Sequence, residues 1–160
     1  MIDVLIDDGI DFAASALIAA PQSIEAAVRA ACACAGFAGE KNIELCVRFA
    51  SDASIHALNR QWRDQDKTTD VLSFPMQQAP FDFSASLGDI ALAVPFVERE
   101  AARLAVPVDD HCLHLIIHAT LHLLGFDHSN DAEAEHMQKL ETQAMQAMGL
   151  HNPYPVTESL

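Results

Sequence analysis

A chain of 160 residues, 51% hydrophobic and 20% charged, is long enough to bury one core and too apolar to remain disordered. A net charge of −14 argues against indiscriminate nucleic-acid binding, and the lack of any run of about 18 apolar residues argues against a membrane span. The start, Met1-Ile2-Asp3-Val4, lacks the basic lead of a signal peptide, so the expected compartment is the cytoplasm, with Cys32, Cys34, Cys46 and Cys112 reduced.

Residues 2–6 read as a short strand and Asp7-Asp8-Gly9 as a turn. Pro21 opens a helix that Gly36 closes, with Ile24, Val28 and Ala31 on its apolar side. Residues 43–49 alternate imperfectly, as a strand does. Ser51 or Asp52 caps a helix to Arg63, with Ile55, Leu58 and Trp62 as its expected buried stripe. A polar loop spans 64–70, Val71-Leu72-Ser73-Phe74 is a strand stopped by Pro75, and residues 76–86 form a longer loop. Residues 87–93 read as a strand, although Gly88-Asp89 also suits a β-turn. Pro95 starts a helix through Leu104, with Glu98, Arg99, Glu100 and Arg103 expected in water.

Pro107 is expected in the first turn of the next helix, followed by Asp109 and Asp110 at its positive end. Leu113, Ile116, Ile117, Leu121 and Leu124 make that helix apolar on most sides, which predicts a central, buried element. Ser129-Asn130-Asp131 caps a last helix with Met137, Leu140 and Ala144 turned inward and Gly149 at its end. The tail is Asn152-Pro153-Tyr154-Pro155, and the end after it is expected to fray. Four strands and about five helices in mixed order predict an α+β fold: one domain over 1–160, a mixed sheet of about four strands and a central histidine-bearing helix.

That helix and its exit, residues 111–128, hold five of the eight histidines. His118 and His122 are four apart, so at about 100° per residue they stack on one helix face. Gly125 ends the helix in a left-handed cap, and the reversing chain brings His128 back toward the pair. Three imidazoles with a fourth position left open form the donor set of a catalytic zinc site rather than a structural one. His114, also four from His118, is expected behind the site or in the core. The spacing also looks like that of the metzincin proteases, but those carry a Glu after the first His as general base, and here Ala119 stands there.

The run His118-Ala119-Thr120-Leu121-His122-Leu123-Leu124-Gly125-Phe126-Asp127-His128 resembles the core motif of the YbeY family, bacterial metal-dependent endoribonucleases of ribosomal RNA maturation. The family usually has Gly at the position of Ala119 and Tyr at that of Phe126. Leu58-Asn59-Arg60-Gln61-Trp62-Arg63-Asp64, Thr69-Asp70-Val71-Leu72-Ser73-Phe74-Pro75, Leu87-Gly88-Asp89-Ile90, and Met137, Glu141 and Gly149-Leu150 extend the likeness over about residues 55–154. The resemblance implies a zinc-dependent, single-strand-specific endoribonuclease in 16S 3′-end maturation and ribosome assembly. It also implies one Zn²⁺ per chain on His118, His122 and His128, a functional Arg63, and ribosomal RNA and ribosomal proteins as partners, without membrane or DNA.

A planar guanidinium at position 63 suits two phosphate oxygens. By residue type alone, without the resemblance, Arg63 reads rather as a surface salt bridge to Asp64 or Asp66. Asp70 reads as a turn former. Ser73 faces away from Leu72 and Phe74. Asp127 either orients a ligand imidazole or shapes the loop.

Charge is uneven: residues 1–40 carry one basic and six acidic side chains, 41–80 five of each, and 81–160 three basic and twelve acidic. Arg48, Arg60, Arg63 and Lys67 are the candidates for phosphate, with Arg48 and Arg60 read as scattered surface charges. Two rival readings are an assembly factor with a structural metal and a metal-dependent hydrolase of a substrate other than RNA, such as a peptide.

Overall fold

The computed structural model describes residues 2–10 and 21–155. Four strands, β1 (Ile2–Ile6), β2 (Leu45–Ala50), β3 (Val71–Pro75) and β4 (Gly88–Ala93), form one mixed sheet in the order β1-β2-β4-β3. β1 and β4 run parallel to β2, and β3 pairs antiparallel with β4 as an edge strand. The helices among the described residues are α1 (Gln22–Cys32), α2 (Asp52–Arg63), α3 (Val94–Leu104), α4 (Val108–Leu123) and α5 (Asp131–Ala147). A π-helical turn, Ala33–Phe37, follows α1. The α+β expectation holds. The end beyond Pro155 lies outside the described residues.

Strand alternation divides the core. Val47, Phe49, Ile90 and Leu92 project to one face of the sheet, where they meet Ile24 and Val28 of α1, Ile116, Ile117 and Leu121 of α4, and Met137 of α5. Ala50, Ala91 and Ala93 project to the other, where with Ile55 and Leu72 they form a smaller cluster under α2 and α3. Burying a Leu, Ile or Phe side chain contributes about 1.5–3 kcal/mol, so the larger cluster dominates stability and α4 sits inside it.

Several boundaries and exposures differ from expectation. β2 starts at Leu45, where its pairing with Ile2 of β1 begins, and Ile43 is buried ahead of it. Trp62 leaves the expected stripe and is 64% exposed, because α2 ends beyond the small cluster that buries Ile55. Asn59 is buried instead and donates to the Lys67 carbonyl at 3.0 Å. Gly88-Asp89 is not a turn. It opens β4, with Gly88 at φ +143° opposite Pro75, and a Cβ there would stand 2.3 Å from the Phe74 carbonyl oxygen. Pro107 caps α4 rather than entering its first turn. Ser51, not Asp52, caps α2, accepting from the Ser54 N–H at 3.1 Å. Arg48 is no scattered charge, since it forks onto both Asp7 carboxylate oxygens at 2.8 and 2.7 Å.

Candidate metal centre

His118 and His122 occupy the one stripe of α4 that the core leaves half-buried, flanked by buried Ile117, Ala119 and Leu121. The helix ends as its Gly125 predicts. At φ +93° the Gly125 N–H donates to the His122 carbonyl at 3.0 Å, and the Phe126 N–H to that of Leu121 at 3.1 Å. The reversal returns His128 to the pair. One ligand nitrogen from each of His118, His122 and His128 lies within 4.8 Å of the others.

Hydrogen bonds behind the rings set which nitrogen faces the cleft. His118 Nδ1 lies 3.2 Å from Glu141 Oε2, and His122 Nδ1 lies 2.9 Å from the Phe126 carbonyl oxygen. Both partners only accept, so both Nδ1 atoms carry the proton and both Nε2 atoms present a lone pair. Those two Nε2 atoms stand 3.1 Å apart. Facing lone pairs at that distance repel unless a cation lies between them. Nitrogens bound at about 2.0–2.1 Å to one tetrahedral ion stand about 3.3 Å apart. The three imidazoles therefore fit one divalent metal ion. Burial, then the neighbouring charges of His118 and His128, lower the His122 pKa to about 4, which keeps it neutral and able to ligate.

Glu141 is the group that residue-by-residue reading left unexplained. It is 1% exposed, and its Oε1 accepts from His114 Nε2 at 2.7 Å and from the Tyr154 hydroxyl at 2.9 Å. Burial acts to raise this carboxyl, but hydrogen bonds with His114 and then His118 outweigh it and bring the pKa to about 2. His114 thus reaches the site only through Glu141, behind it as expected. The legible signal was a carboxylate beside Leu140 on the inward stripe of α5. Its partner Tyr154 arrives from the tail, which sequence spacing does not link to α4.

His111, at the start of the same helix, is buried against Glu100 at 2.6 Å. Glu100 is therefore half-buried and turned onto His111 rather than fully in water. Burial raises its carboxyl, against the hydrogen bond with His111 and with nearby Asp70 adding to the rise.

The cleft over the triad has a volume of about 770 Å³, and α2 and β3 form its opposite wall through Trp62, Arg63, Ser73 and Phe74. Arg63 pairs with neither Asp64 nor Asp66 among the described residues. Its Nη2 donates to the Ser73 carbonyl, and its guanidinium lies 5.4 Å from the Phe74 ring centroid. Asp70 shapes the turn into β3, accepting the Val71 N–H at 2.7 Å. Asp127 holds the loop rather than an imidazole: Oδ1 accepts the His128 backbone N–H and Oδ2 the Ser129 hydroxyl, both at 2.8 Å. These same bonds hold its carboxyl below the usual range. The four cysteines are free, with Cys32 and Cys112 buried. Among the described residues no helix is long and apolar enough to cross a membrane.

The family model described as Endoribonuclease YbeY matches residues 11–149. The chain is similar to the Endoribonuclease YbeY of Rhizorhabdus wittichii, 48% identical over 123 residues, covering 72% of this chain and 73% of that protein. It is also similar to that of Azorhizobium caulinodans, 42% identical over 154 residues, covering 96% of this chain and 95% of that protein. The solution structure of a Thermotoga maritima protein has the same fold, with a TM-score of 0.56 at 23% identity over 98% of this chain and 100% of that one. The chain belongs to the Endoribonuclease YbeY family.

Proposed function

We propose that this member of the YbeY family is a zinc-dependent endoribonuclease that cuts single-stranded RNA, and that it acts in the cytoplasm on ribosomal RNA, in 16S 3′-end maturation and ribosome assembly. The observation that carries the reading is the pair of Nε2 lone pairs 3.1 Å apart, with His128 beside them and Arg63 on the opposite wall. His118, His122 and His128 would hold the ion. A divalent ion there lowers the pKa of water and polarises a phosphoryl oxygen.

The rest of the work falls to side chains. Arg63, seated on Phe74 and tied to the Ser73 carbonyl, keeps N–H groups for two phosphate oxygens and stabilises the charge that builds up as the phosphoester breaks. Glu141 and the Phe126 carbonyl hold two imidazoles in the tautomer that aims Nε2 at the ion. Ala119 leaves no carboxylate at the position where a metzincin carries its base, so peptide hydrolysis is disfavoured. A charge of −14 gives weak affinity for free RNA, so the substrate is delivered by the ribosome or its proteins.

The test is metal content by mass spectrometry for wild type and His122→Ala, beside cleavage of a single-stranded RNA and of DNA of the same sequence. One zinc per chain and RNA-only cleavage, both lost in His122→Ala, support the reading. A metal-free wild type that still cleaves sinks it. Bound metal without cleavage turns it toward an assembly factor.

A further inference from the structure

We propose that Trp62 is a base-stacking platform, seating one nucleobase of a single-stranded RNA next to the phosphate held by Arg63; this rests on the RNA reading above. Trp62 is the only tryptophan of the chain and is 64% exposed. It is not exposed because its helix frays. Asp64 closes α2 in a left-handed conformation with its N–H on the Asn59 carbonyl, and the Gln65 N–H reaches the same oxygen at 3.1 Å. The last turn is fixed, and it fixes the indole outside the core. Among the described residues Trp62 has no ring or cation partner, whereas the neighbouring Phe74 ring carries the Arg63 guanidinium.

Position gives the ring its use. Trp62 and Phe74 line the metal cleft and also a second groove, about 530 Å³, that runs over the uncovered half of the sheet past Leu5 and Ala91. The two cavities therefore meet at these aromatics. The cation lining that groove, Arg48, is already neutralised by Asp7 through two hydrogen bonds. The groove suits the apolar face of a base better than a phosphate. A single strand alternates phosphate and base, and adjacent residues 63 and 62 offer a guanidinium and a ring in the same order. Unpaired bases stack on exposed aromatics without regard to sequence, while a duplex keeps its bases inside. Continuity with the metal cleft favours RNA over a protein partner on this face.

The single tryptophan makes the test direct. Zinc-loaded wild type is mixed rapidly with a single-stranded oligoribonucleotide, or with an abasic oligomer of equal length, and indole fluorescence is read before cleavage. The expected result is quenching by the base-bearing oligomer and not by the abasic one. In fluorescence anisotropy with a labelled oligomer, Trp62→Ala weakens binding about 5- to 150-fold, and Trp62→Tyr restores most of it. The dependence of affinity on salt keeps its slope in Trp62→Ala and becomes shallower in Arg63→Ala, because stacking releases no counterions. RNA bound and cut with unmoved indole fluorescence, or equal affinity in Trp62→Ala, overturns the stacking inference and leaves the face to a protein partner. An oligomer neither bound nor cut overturns the RNA reading as well.

Discussion

His118 and His122 stand on a helix whose flanking Ile117 and Leu121 are fully buried, whereas Trp62 and Arg63, across the same cleft, end a helix whose last turn is exposed. The first wall is tied from behind: Glu141, with His114 and Tyr154 on it, and the Phe126 carbonyl fix the ring tautomers. The second wall is held from one side only, by Ser73 and the Phe74 ring. A metal site gains from rigid donors, since the ion tolerates little misplacement. A site for a flexible polymer gains from exposed groups on a fixed backbone, which is what a closed helix end with an exposed ring and an exposed guanidinium supplies.

If the walls divide the labour in this way, substitutions on each should separate metal binding from RNA chemistry. Arg63→Ala is expected to lower kcat on RNA about 10²–10³-fold while the metal content stays at the wild-type value. Arg63→Lys should not recover the loss, since an ammonium lacks the planar fork. Single-turnover kinetics beside metal analysis decide it. Loss of metal in Arg63→Ala would erase the distinction between the walls.

Glu141→Gln probes the other side with a smaller effect. Metal affinity is expected to weaken about 10- to 100-fold, because an amide can orient His118 through either its oxygen or its nitrogen and brings no charge. Competition against a chromophoric chelator measures this without reference to activity. Circular dichroism checks that the fold survives. Unchanged affinity would assign Glu141 to packing.

The mildest test is pH. His122 has a folded pKa of about 4 against 6.5 for the ordinary group, so the unfolded chain takes up this proton first. Its contribution to stability is complete above pH 6.5 and is lost as pH falls toward 4. Glu141, at about 2 against 4.5, adds a second loss that begins below pH 4.5. Urea midpoints of the metal-free protein should therefore start to fall just below neutrality and fall further in acid. A flat profile down to pH 4.5 would mean that the histidine wall is wetter than its burial implies.

Much of the first wall was legible without tertiary structure. A histidine pair at i,i+4, a glycine stop and a returning histidine all lie within eleven residues, 118–128, and helix geometry with one left-handed turn fixes their relation. The strand and helix positions followed from equally local signals: Ser51 as a cap, Gly149 as a stop, Pro75 at the end of β3. Trp62 was misplaced because periodicity says which residues share a helix face, but not how far the sheet extends beneath it. Gly88-Asp89 suits both a strand and a turn by local signals, because the demand for glycine there comes from the Phe74 carbonyl of the paired strand.

The sequence by itself determined the α+β order of elements and the three-histidine motif, because each rests on hydrogen bonds and spacings within a few residues. Only the tertiary structure decided that Glu141 and Tyr154 stand behind His118, that Glu100 turns onto His111, and that Trp62 and Arg63 face the histidine wall. Burial and partnership depend on what packs opposite a residue, and those opposing groups lie on elements that only folding brings together.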